Sequence, residues 1–272
     1  MALDRPYYEI VREERQFCAA LMHLLWSDPQ NVSKFIGLVR DAYKPQDTSL
    51  PAEISKPQDV QVFIEFAYLR DRWHTEKKAE RPKWLAGLIK NAQLEAVQDM
   101  ILQTAEEQGS PTRWDLPKLL PQLLTGWPSM TTSDFRRFCK FKWAFNAKPD
   151  LVVLPRNEEW CVAVEGKLES GESSYLVPSV PENLPGAPSP DRVVGQVELQ
   201  RFTLTTLLGL KATHVVISKK GGTFRARSIG GIPALAWSDV LDKLAPQEAG
   251  PARQLLKAQV LATGKKAKYD PT

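Results

Sequence analysis

The sequence predicts an α/β fold, and three observations carry that prediction. Apolar residues recur at helical spacing through much of residues 1–130. Two short runs rich in β-branched residues, 151–154 and 160–164, flank a polar turn. A helical pattern over 192–210 and a strand over 213–218 then come in alternation.

The first helix is expected over 7–26, with Ile10, Phe17, Leu21, Leu24 and Leu25 forming its apolar stripe. Glu14 falls in phase with that stripe, four residues after Ile10 and three before Phe17. A carboxylate on a buried helix face costs several kcal/mol unless it is paired or binds a cation. Glu14 is therefore either a site residue or half of an ion pair with Arg15 or Arg40. A second helix is expected over 31–43, a loop over 47–57, and further helices over 58–73 and 84–108. Residues 110–128, broken by Pro111, Pro117, Pro121 and Pro128, read as a connector with one short helix. This region carries no phosphate loop and no dinucleotide fingerprint.

The character changes near Thr132. Large apolar residues alternate over 141–145, which predicts a half-buried strand leading into the hairpin. With residues 156–159 as the turn, Leu154 pairs with Cys161 and the register sets Asp150 opposite Glu165. Directly opposed residues have Cβ atoms roughly 5 Å apart, and Lys167, two residues on, points to the same side of the sheet. Two carboxylates this close repel unless a cation sits between them. Mg²⁺, with Mn²⁺ as its substitute, suits one or two carboxylates completed by water and phosphate oxygens.

Residues 168–195 form a long stretch with Pro178, Pro181, Pro185, Pro188 and Pro190, placed to overhang that site. On the helix expected over 192–210, Gln196 and Gln200 lie four apart and reach the same side. After the strand 213–218, a turn at 219–222 leads to 224–229. Residues 234–237 then precede a helix over 238–244 with Ser238 as its N-cap, and a last helix is expected over 252–262.

The pairing of Pro149-Asp150 with Glu165-Gly166-Lys167, carried on one hairpin, resembles the active site of the PD-(D/E)xK nuclease superfamily. The predicted order of helix, three-strand meander, helix and strand matches that superfamily's α-β-β-β-α-β core. The resemblance implies a restriction-endonuclease-like mixed sheet with an inserted, mainly helical region before residue 131. It covers roughly 7–26 and 141–244. It further implies Asp150, Glu165 and the Gly166 carbonyl as metal ligands, with Glu14 as an added acidic ligand from the first helix. Lys167 would orient the attacking water. Gln196 and Gln200 would stand where the superfamily often has Q-x-x-x-Y, with glutamine in place of tyrosine. The implied activity is Mg²⁺-dependent hydrolysis of phosphodiesters, DNA first and RNA second, in restriction or defence against phage. The alternative is a non-catalytic nucleic-acid-binding or assembly subunit of a defence or repair complex, and on either reading a homodimer or a partner protein in a larger complex is a candidate assembly.

Charge bears on the same reading. The 272 residues carry a net charge of +4, which permits nucleic-acid binding without requiring it. Arg136, Arg137, Lys140, Lys142 and Lys148 lead directly into the hairpin, against Asp134 alone, and are the candidate phosphate contacts. Arg253, Lys257, Lys265, Lys266 and Lys268 near the C-terminus read as a solvated tail. No apolar run reaches the length of a membrane span, and Met1 to Pro6 lack a secretory signal's basic start. Cys18, Cys139 and Cys161 read as reduced thiols of a cytoplasmic protein, and His23, His74 and His214 are too scattered for a zinc site.

Overall fold

The computed structural model describes residues 14–43, 50–54, 56–156, 159–167, 172–179, 193–226 and 230–244. Helix α1 (Glu14–Ser27) and helix α2 (Pro29–Ala42) open the described chain. Asp28 separates them: its carboxylate accepts the Gln30 N–H at 2.9 Å and Pro29 occupies the first turn of α2.

Residues 58–73 are not one helix. They hold strand β1 (Val60–Ile64) and the start of helix α3 (Tyr68–Thr75). Val60 and Val62 are buried against α1 and α2, so the period over this segment is two, and the helical pattern begins only with α3. Helix α4 (Arg81–Asn91) and helix α5 (Gln98–Gln108) replace the single helix expected over 84–108. The break falls at Gln93, whose φ of 55° cannot continue a right-handed helix. Helix α6 (Leu116–Gly126) is the short helix of the connector.

Helix α7 (Thr132–Ala144) overturns the strand expected over 141–145. A reciprocal cap starts it: the Asp134 N–H donates to Thr131 Oγ1 at 3.2 Å, and the Thr131 N–H donates to Asp134 Oδ2 at 3.0 Å. Phe138, Cys139, Phe141, Trp143 and Ala144 are all buried. The closing turn of α7 is buried on more than one side, so Phe141 and Trp143 flank Lys142 as they would in a half-buried strand.

Strand β2 (Leu151–Pro155) and strand β3 (Trp160–Gly166) form the hairpin, with Leu151 opposite Val164, Val152 opposite Ala163 and Val153 opposite Val162. This is the expected register, and it continues to Asp150 beside Glu165. The third strand of the antiparallel meander is β1, paired with β2 from Val60–Pro155 to Ile64–Leu151. The interposed helices are therefore α3 to α7, inserted between β1 and β2, whereas α2 and β1 belong to the sheet.

A two-stranded ribbon, β4 (Ser174–Leu176) with β5 (Val193–Gly195), forms part of the expected loop 168–195. Helix α8 (Gln196–Arg201) comes next and runs on as a π-helical stretch, Phe202–Leu207. Strands β6 (Lys211–Ser218), β7 (Gly222–Ala226) and β8 (Gly230–Ala236) and helix α9 (Trp237–Leu244) complete the fold, α9 starting one residue before its expected cap. The sheet runs β1-β2-β3-β6-β8-β7, with β3, β6 and β8 parallel and the others antiparallel. The helix expected over 252–262 and the basic tail lie outside the described residues.

One sheet face packs Val153, Val162 and Val215 under Phe17, Phe35 and Trp237 of α1, α2 and α9. The other packs Val152, Cys161 and Ala163 under Leu204. Leu199 and Leu207 of the same helix enter the core of the interposed helices, with Ile89, Phe138 and Phe141. The α8 segment thus joins the sheet to the helical block. Among the described residues no helix is long and apolar enough to cross a membrane.

Candidate active site

The site is built at the open end of the β2–β3 hairpin. Every residue of β3 is buried, Glu165 included, so this carboxylate sits 3 % exposed at the end of an apolar strand. Its environment supplies two donors. Lys167 Nζ lies 2.8 Å from Glu165 Oε1, and Gln200 Nε2 donates to Oε2 at 2.8 Å. Lys167 is itself 7 % exposed and its N–H donates to the Ile217 carbonyl at 2.8 Å, which extends the β3–β6 ladder by one step. Asp150 Oδ2 accepts the Gly166 N–H at 2.9 Å, so the two acidic residues are tied through the backbone of the E-x-K triplet.

Burial pushes the Glu165 carboxyl up to about 7, and the charge of Asp150 pushes in the same direction. Lys167 and Gln200 oppose the shift without cancelling it. A carboxylate that is hard to ionise beside another carboxylate is a site that gains from a cation. Among the described residues no group of three or more His, Cys, Asp and Glu side chains could hold a metal. A divalent ion would rest on Asp150 and Glu165, with the Gly166 carbonyl, water or substrate oxygens completing its shell, as Mg²⁺ accepts.

Gly166 also fixes how closely α1 approaches. A Cβ added there would lie 2.9 Å from Cys18 Sγ and 3.7 Å from both Asp150 Oδ2 and Trp237 Cζ2. Position 14 is the first residue of α1, one helical turn before Cys18 and on the same helix face. The Glu14 side chain lies outside what the structure describes.

The two glutamines part company. Gln200 is 1 % exposed, bonds Glu165, and reaches the Lys148 carbonyl at 3.4 Å. Gln196 opens α8, and its backbone N–H donates to the Ser173 carbonyl at 2.9 Å. Of the two, Gln200 is the one bonded to the Glu165 carboxylate.

The five basic residues do not gather at the site as one surface. Arg136 Nη2 donates to Glu198 Oε2 at 2.8 Å and to the Val193 carbonyl at 3.0 Å, and Lys140 Nζ lies 3.4 Å from Glu198 Oε1. These two cations tie α7 to α8. Arg137 pairs with Asp134 at 3.2 Å on its own helix, and Lys148 pairs with Glu65 at 3.4 Å. Burial lowers the Lys140 and Lys142 pKa values.

The sequence did not single out Glu172, bonded to the start of α8, or Tyr175, which feels the Glu165 charge. The N–H of Val197, in the first turn of α8, donates to Glu172 Oε1 at 3.0 Å. Tyr175 of β4 stacks on Trp143 with centroids 5.3 Å apart; burial raises its phenol pKa, and the Glu165 charge adds to the rise. A lone tyrosine in a Pro- and Ser-rich stretch was the available signal. The chain matches no protein-family model, no curated protein and no solved structure.

Proposed function

We propose that this chain is a metal-dependent nuclease of the PD-(D/E)xK type, hydrolysing phosphodiesters in DNA before RNA. The observation that carries the reading is the placement of Asp150, Glu165 and Lys167 at one hairpin end, with Glu165 held between Lys167 and Gln200 at 2.8 Å each. Support also comes from connectivity. Setting aside α3 to α7, the order is α1 and α2, then β1, β2 and β3 as an antiparallel meander, then the β4–β5 ribbon and α8, then β6 parallel to β3.

Asp150 and Glu165 would hold a Mg²⁺ ion, which would supply Lewis-acid activation of the phosphate and of water. Asp150 and Glu165 supply the anionic charge that retains the ion. Gln200 fixes the Glu165 carboxylate plane through Oε2, so the other oxygen faces Lys167. Lys167 carries an ammonium held 2.8 Å from Glu165 at the buried end of the strand. It donates to the nucleophilic water or to the phosphoryl oxygens, where negative charge develops. The Gly166 N–H holds Asp150 in its rotamer. A role in restriction or defence against phage is inferred from the resemblance of the motif.

Supercoiled plasmid, linear DNA and RNA incubated with Mg²⁺, Mn²⁺ or EDTA test the reading. Cleavage that requires the divalent ion and is lost in Lys167→Ala is the expected result. Absence of cleavage of all three substrates with either ion would overturn it in favour of a non-catalytic nucleic-acid-binding subunit.

A further inference from the structure

The β1 side of the site carries a feature that the cleavage chemistry leaves unused. β1 ends at a turn where Glu65 has a φ of 48°, uncommon for a residue with a side chain. Two backbone bonds hold that turn to the residues flanking the site: the Glu65 N–H donates to the Asp150 carbonyl at 2.9 Å and the Phe66 N–H to the Pro149 carbonyl at 3.1 Å. The backbone of Phe66 is thereby held against Pro149, next to Asp150, and Tyr68 follows two residues on. The Phe66 and Tyr68 rings stack, with centroids 5.8 Å apart and planes 16° from parallel. The Arg72 guanidinium extends the array, donating from Nη1 to the Tyr68 hydroxyl at 2.9 Å. An open groove of about 540 Å³ runs along this turn, with Tyr68 37 % and Ile64 41 % exposed on it. Its volume is that of a small-ligand site.

The charge of the groove narrows its occupant. Glu65 is paired with Lys148 at 3.4 Å, Asp71 with Arg70 at 3.3 Å and Glu76 with Arg72 at 3.2 Å. Each acid on the rim is matched by a cation, so the groove offers neither a phosphate nor a cation a strong field. It offers flat π surface, with a guanidinium at one end. That chemistry suits a planar, uncharged ring, and a nucleobase stacks on aromatic side chains whatever its identity.

We propose that the Phe66–Tyr68 groove is a base-stacking platform holding one unpaired nucleobase of a single-stranded nucleic acid next to the scissile phosphate. The proposal rests on the nuclease reading and specifies its substrate: a strand that is unpaired at the site. A base inside a duplex is already stacked on both faces and reaches the groove only by leaving the stack.

Single-stranded and duplex oligonucleotides carrying 2-aminopurine, titrated into the full chain with Ca²⁺ in place of Mg²⁺, test this by anisotropy and 2-aminopurine fluorescence. Quenching by the wild-type protein with the single strand is expected. Binding should weaken roughly 10-fold in Tyr68→Leu, as loss of one base–aromatic stack implies, and recover in Tyr68→Phe. Phe66→Leu should behave as Tyr68→Leu, and because Tyr68 is exposed, its variants decide the matter if Phe66→Leu fails to fold. Unchanged affinity and quenching in Tyr68→Leu, or no quenching by the wild type, would overturn the platform. The two readings fail separately. Divalent-dependent cleavage with Tyr68→Leu binding normally removes the platform and leaves the nuclease, whereas quenched binding without any cleavage removes the nuclease and leaves the platform.

Discussion

Two polar clusters, one buried and one half-buried, lie on either side of α8, and they handle charge in opposite ways. At the hairpin end, Glu165 is crowded by Asp150, and its pKa rises to about 7 despite the Lys167 ammonium at 2.8 Å. Between α7 and α8, Glu198 accepts from Arg136 at 2.8 Å and faces Lys140 at 3.4 Å. The first cluster keeps a carboxylate that resists ionisation, an arrangement that gains when a cation arrives. The second is satisfied as it stands. The first holds its carboxylate against ionisation, whereas the second closes as a set of ion pairs. Two of the five candidate phosphate contacts, Arg136 and Lys140, thus have structural work within the fold.

The largest expected difference between the clusters is in activity. Asp150→Asn removes the charge that crowds Glu165 while leaving a carbonyl oxygen for the Gly166 N–H. Divalent-dependent cleavage should fall by three orders of magnitude or more, on the order of 4 kcal/mol of transition-state stabilisation. The apo melting temperature should stay level or rise. Glu198→Ala should do the reverse: stranding Arg136 and Lys140 should cost about 3 kcal/mol in chemical denaturation, with specific activity per folded molecule nearly unchanged. An Asp150→Asn protein that cleaves normally, or a Glu198→Ala protein as stable as wild type, would break the comparison.

A smaller effect should appear in the pH dependence of stability without metal. Glu165 has a folded pKa of about 7 against an ordinary value of 4.5. Its neutral form is the one the fold favours, so its contribution is fully present below 4.5 and is lost as pH rises through about 7. The contribution lost over that window should be on the order of 3 kcal/mol. Denaturant midpoints measured from pH 4 to 8 should therefore decline more steeply for wild type than for Glu165→Gln. Asp150→Asn should fall between them, because burial remains when the neighbouring charge is gone. Equal slopes in wild type and Glu165→Gln would mean that Glu165 ionises freely.

The smallest effect concerns packing. Gly166→Ala drives a Cβ to 2.9 Å from Cys18 Sγ and should cost about 1–2 kcal/mol. Adding Cys18→Ala should restore most of that, since the thiol is the nearest obstacle. Failure of the double mutant to recover in a thermal melt would place the strain in the backbone rather than at Cys18.

The sequence alone determined the hairpin and its register, because two β-branched runs flank a short polar turn whose length sets which residues face each other. Asp150, Glu165 and Lys167 were legible on that account. Gln200 was legible as a candidate through its spacing from Gln196, but only the structure separated the two. Period also explains the two misread strands. β1 was concealed because its five residues run into the helical pattern of α3, and 141–145 imitated a strand because Phe141, Trp143 and Phe145 are all buried where α7 closes. The Thr131–Asp134 cap was the available sign that α7 begins there. Tertiary structure alone decided the long-range pairings: β1 beside β2 across the interposed helices, Glu198 under Arg136 and Lys140, and Phe66 against Pro149. Local periodicity reports which way a side chain points, but not which distant segment it meets. That depends on which arrangement buries the most apolar surface while leaving the fewest polar groups unpaired.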